Sequence, residues 1–224
     1  MKKFVCIFAI FLMAAAGLSA QNNEKVEKPW NIFLKGGGLF SLNEDAFSYR
    51  ENSQTSKLFN YQAGLGFGYD FTKRFGLRLE ATYGKNAAAG NTYNTSEHGF
   101  YPYNFSSINA FLDAIINLNP NGSIFFPKLY AGVGGDYSFG FTDMNHPWQT
   151  LPERSGAFGL RLGFIAEFRV SKTVGIYADL SSEGFTDNFD GLKPTKEQIK
   201  EEKGYPGFPL DVRGLASLGL CFHF

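Results

Sequence analysis

Eight stretches of this chain alternate, residue by residue, between a face without any charge and a face with at least one. Side chains two apart on a strand share a face, so a period of two means β-structure. From 210 to 224 the even positions are Leu210, Val212, Gly214, Ala216, Leu218, Leu220, Phe222 and Phe224, opposed by Asp211, Arg213, Leu215, Ser217, Gly219, Cys221 and His223. Near 156–170, Phe158, Leu160, Leu162, Phe164, Ala166 and Phe168 oppose Arg161, Ile165, Glu167 and Arg169. Near 174–183, Val174, Ile176, Ala178 and Leu180 oppose Tyr177, Asp179 and Glu183. Four more stretches, near 58–70, 75–84, 106–117 and 128–139, repeat the pattern and place Asp70, Arg78, Glu80, Asp113, Lys128 and Asp136 on their polar faces. The first, near 30–41, sets Trp30, Ile32, Leu34 and Phe40 against Asn31, Phe33 and Lys35.

A charge facing lipid at mid-depth costs roughly 2–4 kcal/mol, so a membrane excludes charge from one face and tolerates it on the other. A soluble sandwich or lipocalin also alternates, but its apolar face is the buried one and its lining is not charged. The expected fold is therefore all-β: an eight-stranded antiparallel up-and-down transmembrane β-barrel. Only helices and closed barrels satisfy every backbone group in lipid, and no uncharged run after the N-terminus approaches 18 residues.

The connections are unequal. Short turns fall at Asp70–Arg74, Leu118–Ser123 and Ser171–Thr173, and longer segments at about 41–57, 85–105, 140–155 and 184–209. Short periplasmic turns and long extracellular loops are the outer-membrane arrangement, which puts both termini in the periplasm. Trp30, Tyr69, Phe71, Phe75, Phe168, Phe222 and Phe224 then form one aromatic girdle, and Phe40, Tyr83, Tyr137, Phe139 and Phe158 the other.

Residues 1–20 have the form of an export signal: Lys2 and Lys3, then an uncharged apolar run from Phe4 to Ala16. Cleavage is expected after Ala20, or after Ser19, and Cys6 lies too early to mark a lipoprotein. The domain reading is signal peptide 1–20, a short periplasmic segment 21–29, and the barrel 30–224. Cys221 is then the mature chain's one cysteine, so no internal disulfide is expected. Equal numbers of basic and acidic residues, 21 of each, argue against a nucleic-acid partner, which would need a basic face.

With the barrel laid out, the chain resembles the eight-stranded outer-membrane barrels that include the OmpA membrane domain and OmpX. The resemblance covers essentially the whole mature chain and is borne by LYAGVGGDYSFG (129–140), GAFGLRLGFIAEFRVSK (156–172) and LASLGLCFHF (215–224). It implies that Leu218, Leu220, Phe222 and Phe224 form a C-terminal targeting signal read by the barrel assembly machinery. It implies a monomer in contact with outer-membrane lipid, with an unidentified surface ligand at the loops. OmpA has a peptidoglycan-binding domain after its barrel; this chain ends at Phe224, so that activity is not expected of it.

The lumenal charges are Lys35, Arg78, Lys128, Arg161, Arg169 and Arg213 against Glu80, Asp113, Asp136, Glu167, Asp179, Glu183 and Asp211. An eight-stranded barrel is just wide enough to be filled by side chains, and an aqueous channel needs about 16 strands. A salt-bridged plug is expected rather than an ion path. Glycines 64, 66, 68, 132 and 134 are expected to make room for long Arg and Tyr side chains; no helix follows them, so they are not a phosphate loop.

No enzyme and no cofactor are expected. No His, Cys and acid cluster shows metal-ligand spacing along the chain, and DNFDG (187–191) lacks the calcium-loop pattern. His223 reads as barrel filling, and His146, beside Trp148, as part of a contact surface. The alternative is a lipid-modifying enzyme. Ser96 and His98 share a face, and the chain resembles in fold the lipid A deacylases, which use Ser and His near the outer leaflet. Those enzymes place His before Ser within a strand, whereas here the order is reversed and the pair lies in a loop. In the fourth loop Thr195 and Gln198 form a capping box, Gly204 can end the helix, and a short charged helix is expected over 196–203.

Overall fold

The structure is a computed structural model that describes residues 26–41, 60–91, 100–143, 154–185 and 211–224. Eight strands run in chain order: β1 (Trp30–Ser41), β2 (Tyr61–Asp70), β3 (Phe75–Asn91), β4 (Phe100–Asn117), β5 (Phe125–Asp143), β6 (Arg154–Arg169), β7 (Val174–Phe185) and β8 (Asp211–His223). Each pairs antiparallel with its neighbours, and β1 pairs with β8 to close the barrel. Closure leaves no free strand edge. At the seam the Phe224 N–H donates to the Trp30 carbonyl at 2.8 Å, and on the other side of β1 the Asp70 N–H, at the end of β2, donates to the Pro29 carbonyl at 2.7 Å.

The three turns are held by side chains that accept backbone N–H groups, the local bonding that favours Ser, Thr and Asn in turns. Thr72 Oγ1 accepts from the N–H groups of Arg74 and Phe75, at 3.2 and 3.0 Å. Ser171 Oγ accepts from Thr173 and Val174, at 3.1 and 3.0 Å. In the β4–β5 turn, Asn117 Oδ1 accepts from the Asn119 N–H at 3.1 Å, and Asn119 Nδ2 donates to the Phe125 carbonyl at 3.0 Å.

Two faces of opposite character result. Outside, Leu34, Leu65, Leu79, Leu112, Leu129, Leu162, Leu180 and Leu218 are all exposed, Leu162 at 67% and Leu218 at 70%. Inside, Lys35, Arg78, Glu80, Asp113, Arg161, Asp179 and Glu183 are buried. Water-soluble proteins do not expose a continuous apolar belt around a charged interior. This exterior suits hydrocarbon, and the protein is a transmembrane barrel. No helix among the described residues is long and apolar enough to cross a membrane.

Apart from shifts of a few residues at strand ends, the structure departs from the sequence expectations in three places. The β3–β4 hairpin continues through residues expected to be loop, pairing Asn86 with Phe105 and Asn91 with Phe100. Those segments, KNAAAGN and FYPYNF, lack a clean two-residue period, and the pairing follows by propagation from the hairpin below. Second, Phe75 is buried rather than exposed in the girdle at the turn end. Third, the inward glycines mostly hold other partners than Arg and Tyr: a Cβ at Gly66 would overlap the Phe33 ring, at Gly134 the Phe111 ring, at Gly68 the Asn31 amide, and at Gly64 a Thr82 methyl. Tyr130 and Tyr177 lie instead over Gly163 and Gly219. The pattern is an aromatic ring on one strand laid over a bare backbone on the next.

One bulge interrupts the ladder. Asn104 faces Thr142 while Ser106 faces Phe139, so β5 has one extra residue there. Gly140 lies in that gap at φ 66°, a left-handed conformation that glycine adopts without a Cβ penalty.

Candidate functional site

The lumen is organised by cross-strand register. Arg78 on β3 faces Asp113 on β4, which faces Gly132 on β5, then Arg161 on β6, Glu183 on β7 and Arg213 on β8. One row around the wall therefore alternates in sign, with a glycine standing where a side chain would separate Asp113 from Arg161. A Cβ on Gly132 would lie 2.0 Å from Asp113 Oδ1. Without it, Arg161 Nε donates to Asp113 Oδ1 at 2.6 Å and Arg161 Nη2 donates to Asp113 Oδ2. Arg78 Nε donates to the same Oδ2 at 2.8 Å. Asp113 is thus gripped from both sides.

Side chains from farther round the wall complete the centre. Arg161 Nη1 pairs with Glu80 at 2.5 Å, and Lys35 Nζ bridges Glu80 and Asp179 at 2.8 and 3.1 Å. The Tyr130 hydroxyl donates to Asp179 at 2.7 Å. Three cations, Lys35, Arg78 and Arg161, meet three carboxylates, Glu80, Asp113 and Asp179. Burying a charge is tolerable when it is paired and hydrogen-bonded, and this cluster balances internally.

Toward the long-loop end, Arg213 holds Glu183 at 2.7 Å and approaches Asp136 at 3.7 Å, and Ser138 donates to Asp136 at 2.5 Å. Toward the turn end, Glu167 collects three partners: Lys128 at 2.5 Å, Arg169 at 3.0 Å and His223 Nε2 at 2.6 Å. Between the central and turn-end clusters lies an apolar layer of Phe33, Ile115, Tyr130, Ile165, Tyr177 and Cys221. Each of the four lumenal arginines also stacks on a ring. Their Cζ atoms lie 4.2 Å (Arg78 over Tyr130), 4.4 Å (Arg161 over Phe111), 4.1 Å (Arg169 over Phe126) and 4.5 Å (Arg213 over Phe185) from the ring centroids. The planar guanidinium can bind carboxylates at its edge and a ring on its face at once, which an ammonium cannot do.

Every charged residue expected in the lumen whose side chain is described is found there, with Arg169 part-exposed at the turn end. The Asp211 side chain is outside the described residues. So are Ser96, His98, His146 and Trp148, and the helix expected over 196–203. Leu218, Leu220 and Phe224 are exposed on the outer face and Phe222 is part-exposed. The sequence reading left unpaired the polar residues that fill the gaps: Gln62 Nε2 donates to Ser217 at 3.3 Å, and Asn109 Nδ2 to Thr82 at 3.2 Å. Their inward parity was visible, but not their partners, which depend on register.

No family model matches the chain, and no curated protein is similar to it in sequence. Solved structures are similar in fold. Neisserial surface protein A, from Neisseria, is 13% identical, with 87% of this chain and 97% of that chain covered at a TM-score of 0.51. A major outer membrane protein from Thermus thermophilus is 15% identical, with 87% and 99% covered at a TM-score of 0.50. At these identities the likeness shows the fold: a closed eight-stranded barrel of the outer-membrane type.

Proposed function

We propose that this protein is a small closed barrel of the bacterial outer membrane, with a structural or surface-interaction role performed by its long loops. The observation that carries the reading is the filled lumen. The central ion-pair cluster and the apolar layer beneath it occupy the interior, so the barrel is a rigid mount and not a conduit. Function on such a scaffold falls to the connecting segments, and the longer ones, 42–60, 92–99, 144–153 and 186–210, all join strands at one end. The three short turns and both barrel termini occupy the other end, the one that faces the periplasm in this reading.

Two measurements test it. In planar bilayers the purified barrel gives no large, stable conductance steps; such steps would overturn the closed reading. Protease added to intact cells cuts within the long connections and leaves the turns whole; cleavage at the turns alone would reverse the orientation.

A further inference from the structure

Along the chain, Glu167 stands far from Cys221 and His223. In the barrel the three come together at the turn end of the lumen. Cys221 and His223 are two apart on β8 and both face inward, with Cys221 paired to Gly175 on β7. Glu167 is one strand farther, on β6. It reaches over β7 because position 175 has no side chain; a Cβ there would lie 2.8 Å from Glu167 Oε1. The same device that joins Asp113 to Arg161 thus joins Glu167 to His223.

The result is a thiol, an imidazole and a carboxylate whose ligand atoms all lie within 4.8 Å of one another, all three residues buried. Among the described residues no other group of His, Cys, Asp and Glu side chains stands this close. Two further observations point to a ligand. His223 Nδ1 is buried without a hydrogen-bond partner, so the imidazole has a donor atom left over. And Glu167 is oriented from behind: Lys128 Nζ holds Oε2 at 2.5 Å and Arg169 Nε donates to Oε1 at 3.0 Å, with Oε1 also facing His223. A ligating carboxylate oriented through its second oxygen is the usual outer-shell arrangement.

We propose that Cys221, His223 and Glu167 form a binding site for a zinc-like divalent ion. A mixed sulfur, nitrogen and oxygen set suits zinc in tetrahedral coordination, with the fourth position taken by water. Ligand atoms about 2.0–2.3 Å from the ion stand a little over 3 Å apart, inside the 4.8 Å within which the ligand atoms of the three residues lie. On binding, the Cys221 thiol proton leaves to solvent and the ion takes a nitrogen lone pair of the His223 ring. The charged groups facing the site are Lys128 and Arg169, both on Glu167, and Asp70, which lines the same end. A cavity of about 60 Å³ lies at the same end, lined by Asp70, Lys73, Arg74, Lys128 and Arg169 and not by the three ligands themselves.

The test is a titration of the folded, detergent-solubilised barrel with Co²⁺, followed by displacement with Zn²⁺. Wild type is expected to bind one Co²⁺ per chain and to develop a sulfur-to-cobalt charge-transfer band that Zn²⁺ abolishes. Cys221→Ser is expected to lose that band, and Glu167→Gln to weaken binding at least tenfold. Heat-modifiable migration on gels checks that each variant is folded. Absence of the band in folded wild type, or its persistence in Cys221→Ser, overturns the proposal. If neither variant folds, iodoacetamide decides: Zn²⁺ is expected to slow alkylation of the Cys221 thiol in folded wild type, and an unchanged rate refutes the site.

Discussion

Arg161 and Asp113 stand on strands separated by β5, yet their side chains share two hydrogen bonds, because the residue between them is Gly132. A direct bond between second-neighbour strands needs a gap in the strand it crosses. Gly132→Ala places a methyl group against Asp113 Oδ1 and pushes the pair apart. The expected cost is about 1–3 kcal/mol, the range for overpacking a filled interior. Denaturant unfolding of the barrel reads it, with Gly36→Ala as the control. A Cβ at Gly36 meets only the Gln62 carbonyl at 3.8 Å. Equal stability of the two variants would show that the gap is not needed.

Asp113 answers two arginines at once, so its loss leaves both Arg78 and Arg161 short of charge in a buried setting. Asp113→Ala is expected to cost about 3–5 kcal/mol, because breaking a buried pair strands the remaining charge. Replacing Arg161 and Asp113 together by Leu and Ala is expected to cost less than the sum of the two single changes. A double-mutant cycle on unfolding free energies measures that coupling, and strict additivity would mean that the pair does not interact.

On the outer wall the rule reverses. Leu162 is exposed midway along β6, facing Ala131 and Ser182 on the adjacent strands. Leu162→Arg is expected to cost roughly 2–4 kcal/mol in lipid vesicles, the price of a cation at mid-depth. The same change in a soluble barrel would be near neutral, so unfolding measured in vesicles separates the two. A cost below the noise would remove the lipid-facing assignment of this wall.

How much of this was legible beforehand follows from what a two-residue period can encode. Parity assigns each residue to a face without any knowledge of its neighbours. The inward set from Lys35 to Arg213 and the outward leucines were therefore readable one strand at a time. Partners are a different matter. That Asp113, Gly132 and Arg161 fall in one row depends on two strand registers, β4 against β5 and β5 against β6. The same holds for Phe33 over Gly66, and for Glu167 reaching His223 past Gly175. The inward glycines were visible as gaps, but which side chain fills a gap is a property of the adjacent strand. The upper β3–β4 hairpin was unreadable for a simpler reason: KNAAAGN gives no contrast between faces.

The C-terminal residue separates stability from assembly. The Phe224 ring is exposed on the outer wall, while its backbone N–H closes the seam on the Trp30 carbonyl at 2.8 Å. Phe224→Ala keeps that hydrogen bond and removes only a ring that packs on the outside. Refolded into vesicles, the variant is expected to lose less than about 1 kcal/mol, since surface substitutions away from special features usually cost about 0.5 kcal/mol or less. In cells, if the last strand acts as the targeting signal that the resemblance to outer-membrane barrels implies, the same variant is expected to reach the outer membrane in several-fold lower amount. Quantitative blotting of membrane fractions beside the vesicle unfolding curve decides it. A stability loss large enough to explain the lower amount would assign Phe224 to the barrel itself, and an unchanged amount would remove it from the signal.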